Sequence, residues 1–109
     1  MALTRSFKES VQARLRADPA FREAMLAEAV DALLVGELEV GKSLLRDFIN
    51  GTIGFEPLAT ATGTPPKSLM RMFSKGGNPS ARKLFAVLSE LQRDSSISLR
   101  AHRLREPAA

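Results

Sequence analysis

The sequence predicts an all-α fold with one short extended stretch near its C-terminus. Three observations carry that expectation. Apolar residues recur at three- and four-residue spacing through most of the chain. Helix start signals precede those stripes, and Gly or Asn-Gly pairs follow them. The 109 residues suffice for one domain with a modest core.

Ser6-Phe7-Lys8-Glu9 has the form of a capping box, and Phe7, Val11 and Leu15 then recur at spacing four. A first helix is expected from there to about Arg16. Asp18-Pro19 is a second start, because Asp caps and Pro suits a first turn whose N–H groups are unpaired. Phe21, Met25, Ala29 and Leu33 form one stripe of this helix; Leu26, Val30 and Leu34 form another. So broad an apolar surface predicts burial on two sides, up to Gly36. Glu37 to Ile49 reads as a third helix with Leu38, Leu45, Phe48 and Ile49 inward, closed by Asn50-Gly51.

Three helical pieces follow closely. Phe55 to Thr62 is short, with Leu58 and Ala59 as apolar contacts and Gly63 at its end. Pro66 to Phe73 places Leu69 and Phe73 on one face. After the loop Ser74–Pro79, Ser80 caps a longer helix carrying Leu84, Val87, Leu88 and Leu91. Ile97, Leu99 and Ala101 alternate with Ser98, Arg100 and His102, the period of a short strand. The tail Glu106–Ala109 reads as frayed. No linker divides the chain. Residues 1–53 are expected to pack as a helical extension on a 54–94 domain, with strand and tail in 95–109.

The chain carries a net charge of +4, unevenly placed. Residues 1–53 hold seven Lys/Arg and eight Asp/Glu, whereas residues 54–109 hold nine and four. A basic second half suits a polyanion, because Lys and Arg release counterions condensed on phosphates. There is no cysteine, and His102 is the only histidine, so no metal site or cofactor is expected. No Cys–His pair or phosphate-cradling glycine motif points to an enzyme. No apolar run approaches the ~20 residues that cross a membrane, and residues 1–5 lack a signal-peptide core, so a cytoplasmic location is expected.

Two short helices joined by a Gly-containing turn follow the helix-turn-helix plan. The first helix needs a small residue where the second crosses, which Ala59 supplies. The turn has Gly63, and Leu69 and Phe73 anchor the second helix. The opposite face is then free for a major groove. Leu58-Ala59, Gly63, Ser68-Leu69, Arg71, Gly77-Asn78-Pro79-Ser80 and the Leu84, Leu88, Leu91 stripe together resemble the lambda-repressor-like (Xre type) helix-turn-helix family. The closest branch is the addiction-module antidote, or HigA-like antitoxin, regulators. The resemblance covers roughly residues 53–93. It implies an all-helical domain that binds double-stranded DNA as a homodimer, represses its own operon and is encoded beside a small RelE-like toxin.

On this reading Lys67 and Arg71 donate to guanine or phosphate, Met70 lies against a thymine methyl, and Ser68 stands at the edge of the same face. Lys75, Asn78, Ser80 and Arg82 are candidates for phosphate contact in the loop and helix cap. The sequence departs from the family where Pro65 and Pro66 replace a polar cap and contact, and where Glu56-Pro57 replaces Thr-Gln. Those departures keep a second reading open: a protein-interaction module of the same fold that binds a toxin or another regulator, with weak or no DNA binding.

Overall fold

A computed structural model describes the backbone of residues 2–104 and the side chains of residues 6–104. The described chain is all-helical: α1 (Ala2–Ala17), α2 (Pro19–Leu34), α3 (Leu38–Gly51), α4 (Phe55–Thr62), α5 (Pro66–Met72) and α6 (Ala81–Ser95). The expected fraying of Glu106–Ala109 lies outside the described residues.

The break between α1 and α2 is set by local chemistry. Asp18 has an extended backbone, and its carboxylate accepts the Phe21 N–H at 3.2 Å, with Pro19 in the first turn. The Arg14 guanidinium stacks 4.3 Å from the centre of the Phe21 ring and lies 3.6 Å from Asp18. Arg22 donates to the carbonyls of Leu15 at 2.7 Å and Arg16 at 3.2 Å. It thereby satisfies two acceptors that the end of a helix leaves without intrahelical partners.

The start of α1 differs from the sequence expectation. The helix is already formed at Ala2, so Ser6 lies inside it and caps nothing. Burial rises along the predicted stripe, from Phe7 at 69% exposed through half-buried Val11 to fully buried Leu15. Leu38 is also corrected: it is 41% exposed. It occupies the first turn of α3, beside a corner where Leu34 and Val35 are exposed too, and no described element covers that corner.

Helix α3 packs on both α2 and α1. A Cβ at Gly41 would meet Leu33 and the Ala29 carbonyl; one at Gly51 would meet Leu15 and Gln12. The two glycines therefore mark close crossings of α3 with α2 and with α1. Leu45, Phe48 and Ile49 enter a core shared with Leu15 of α1, Leu26 of α2, Leu58 of α4, Leu69 and Met72 of α5, and Val87 and Leu91 of α6. Met25 packs against the same core.

Gly63 closes α4 in the left-handed conformation, φ +72°, with its N–H on the Ala59 carbonyl at 2.8 Å. A residue with a Cβ would pay steric strain there. Ser80 caps α6 by accepting the Lys83 N–H at 3.2 Å.

No strand forms among the described residues, which corrects the expectation for Ile97–Ala101. Burial does alternate, with Ile97 and Leu99 against the core and Ser98 and Arg100 outward. The backbone nevertheless ties itself back to α6. The Ile97 N–H reaches the Gln92 carbonyl at 2.8 Å, and the Leu99 N–H reaches the Gln92 side-chain oxygen at 2.9 Å. Period two reports an extended path, but a strand also needs a neighbour to ladder with.

Candidate functional site

The second half of the chain presents a cationic surface built on α5, the loop that follows it and the start of α6, with α4 packed behind α5. Helix α4 buries Phe55, Leu58 and Ala59, and the chain turns through Gly63, Thr64 and Pro65 into α5. The small Ala59 side chain is buried in α4, and α4 and α5 pack directly. Pro65 stands at the N-cap of α5 and makes no side-chain cap bond.

Burial divides α5 cleanly. Leu69, Met72 and the following Phe73 are in the core, whereas Lys67, Met70 and Arg71 are exposed and Ser68 is half-buried. Positions 67, 70 and 71 share one helix face by their three- and four-residue spacing. Met70 is 47% exposed, an apolar side chain left in solvent between two cations. Lys75 and Asn78 are exposed in the loop, and Arg82 is exposed in the first turn of α6. Among the described residues, none of Lys67, Arg71, Lys75 and Arg82 forms an ion pair. The Ser80 hydroxyl is exposed but already accepts the Lys83 N–H. Glu56 is exposed in the first turn of α4, a negative charge on the same half of the chain.

The loop that joins α5 to α6 is held from an unexpected direction. Lys42 of α3 is 1% exposed, and its Nζ donates to the Gly77 carbonyl at 2.6 Å and the Ser74 carbonyl at 2.9 Å. The same ammonium lies 2.9 Å from the Glu39 carboxylate. Arg46, one turn further along α3, donates to the Phe73 carbonyl at 3.2 Å. The hydrogen bond from Lys42 holds the Glu39 carboxyl below its ordinary range against the opposing effect of desolvation, helped by the Lys42 charge, the Gly76 N–H and the Lys75 charge. Gly77 completes the arrangement, because a Cβ there would overlap the Arg71 and Met72 carbonyl oxygens.

Sequence reasoning missed Lys42, Arg46 and Glu39. One signal was present: Lys42 lies on the inward stripe of α3, three residues before Leu45 and seven before Ile49. A lysine at such a position needs buried acceptors.

Elsewhere, an open groove of about 530 Å³ runs past Arg16, Arg22, Asp94 and Ser95. Its Arg22 guanidinium is spent on the α1 carbonyls. Among the described residues no group of His, Asp and Glu side chains could hold a metal ion, and no helix is long and apolar enough to cross a membrane. Neither protein families, characterised proteins nor solved structures offer a match to the chain, so its own geometry must carry the functional argument.

Proposed function

We propose that the chain is a sequence-specific DNA-binding transcriptional regulator, an antitoxin-like autorepressor that acts as a cytoplasmic dimer. The supporting observation is the division of α5: Leu69, Met72 and Phe73 inward, Lys67, Met70 and Arg71 outward. On this reading α4 and α5 are a helix-turn-helix of the lambda-repressor-like type. The outer face of α5 enters the major groove, which is wide enough for one helix. Arg71 and Lys67 donate to guanine O6 and N7 or to phosphate, and Met70 covers a thymine methyl. Ser68 contributes at the edge of that face. Lys75, Asn78, Ser80 and Arg82 set the register through phosphates. Two copies would place their α5 helices in successive major grooves, and a small RelE-like toxin would be the protein partner.

The test is a titration of labelled duplex from upstream of the gene, with a scrambled duplex as competitor. Tight, salt-sensitive binding that collapses in Lys67→Ala and Arg71→Ala supports the proposal. Binding that is absent, or indifferent to both substitutions, defeats it.

One observation favours a second reading, a protein-interaction module of the same fold. Leu34, Val35, Leu38 and Val40 are all exposed around the α2–α3 turn. Such a cluster of exposed apolar side chains suits a protein partner. Under this reading the cationic face binds DNA weakly or not at all.

A further inference from the structure

The α3 contacts to the α5–α6 loop lie apart from the outer face of α5, yet they end on the backbone that flanks Lys75. Lys42 is buried and charged, a costly state unless its donors find acceptors. Its acceptors are the Ser74 and Gly77 carbonyls and the Glu39 carboxylate, and Arg46 adds the Phe73 carbonyl. Three carbonyls of one short segment are thus fixed to polar side chains of α3, a helix whose Leu45, Phe48 and Ile49 already share a core with α5 and α6. Within the segment the Gly77 N–H closes on the Ser74 carbonyl at 2.9 Å, so that carbonyl serves both the loop's own turn and the clamp.

We infer that Lys42, with Arg46 beside it, is a positioning residue that holds residues 73–77 so that Lys75 can meet a DNA phosphate. This rests on the DNA-binding reading for its consequence, but not for the clamp. Lys42 touches no nucleic acid. It acts through the carbonyls that fix the loop, and it also neutralises Glu39, whose carboxylate would otherwise oppose an approaching phosphate. Lys75 alone is a flexible cation on an exposed loop; a fixed backbone lowers the entropy lost when it engages.

The experiment pairs amide hydrogen exchange with a double-mutant cycle on the full chain. In Lys42→Met, exchange at the Gly77 amide should quicken at least about tenfold while the core amides of α2 and α6 keep their protection. Arg46→Gln, which removes one bond from a half-buried side chain, should show a smaller change confined to residues 73–77, and serves should Lys42→Met not fold. In a mixed-sequence duplex at about 0.1 M salt, Lys75→Ala should weaken binding roughly five- to tenfold in the otherwise native protein, the worth of one phosphate contact. In the Lys42→Met background the same substitution should cost less than about twofold. Unchanged exchange at residues 73–77 in the folded variants overturns the clamp. Quickened exchange with an undiminished Lys75 effect overturns its role in phosphate contact. A native protein that binds no duplex defeats the DNA reading and that role together, while the exchange result still decides the clamp.

Discussion

Gly51 of α3 lies so close to Leu15 of α1 that a Cβ added to the glycine would stand 2.5 Å from Leu15 Cδ1 and 3.3 Å from the Gln12 Cα. The helices cross there with no room for a methyl group. Leu15 is itself fully buried, so it cannot swing aside without disturbing the core.

Gly51→Ala is accordingly expected to destabilise the protein, although alanine is the better helix former. Propensity would favour alanine by up to about 1 kcal/mol, but overpacking a filled core costs about 1–3 kcal/mol. Urea denaturation reads the balance: the midpoint should fall with little change in slope. A raised midpoint would show that α1 yields easily at this crossing.

Ser80 separates a structural role from a nucleic-acid role. Ser80→Ala removes the acceptor for the Lys83 N–H and should cost about 1 kcal/mol of stability. Ser80→Asp keeps a good cap but adds a negative charge beside the proposed phosphate contact. Its stability should match the native protein while its DNA affinity falls. Equal DNA affinity for the native and Asp proteins would remove Ser80 from the interface.

Lys67 and Arg71 are exposed, so replacing either by alanine should leave stability within about 0.5 kcal/mol of native. On operator DNA each should cost about 1–3 kcal/mol if it reads a base, with relaxed preference at one position. If it instead holds a phosphate, the loss should be uniform across sequences and the salt slope should fall by about one. Competition titrations at several salt concentrations distinguish these outcomes.

The depressed Glu39 pKa gives a pH signature. Folding lowers it from 4.5, chiefly through the Lys42 hydrogen bond. The folded state therefore binds fewer protons than the unfolded chain in the acid range. The stabilisation is present above the unfolded value and is lost as pH falls through the depressed folded value. Comparing native protein with Glu39→Gln by urea midpoint across pH, the native advantage should be constant near neutrality and shrink on acidification. An advantage that grows as pH falls would contradict the contact.

Most helix boundaries were legible because their signals are local. Asp18-Pro19, Gly63 and Ser80 act within a few residues of themselves, and each does in the structure what its chemistry suggests. The misses share a dependence on distant neighbours. Ser6 resembles a cap, but the helix continues upstream of it to Ala2. Leu38 fits the α3 stripe, but no element covers its corner. Ile97–Ala101 has a strand's alternation and no strand to pair with. In the candidate site, the outward face of α5 followed from its buried one. The Lys42 clamp did not, because its principal acceptors are main-chain carbonyls, which every residue possesses and no sequence pattern marks.

That choice of acceptors has a consequence for how the loop can change over generations. Lys42 and Arg46 bind residues 73, 74 and 77 through atoms common to all amino acids. The side chains of Lys75 and Asn78 can therefore be exchanged without altering the acceptors that anchor the path, whereas Ser74 also donates its hydroxyl to the Arg71 carbonyl at 2.7 Å. The segment behaves as a socket with interchangeable fittings, and related chains could acquire new binding preferences there while keeping the scaffold beneath it intact.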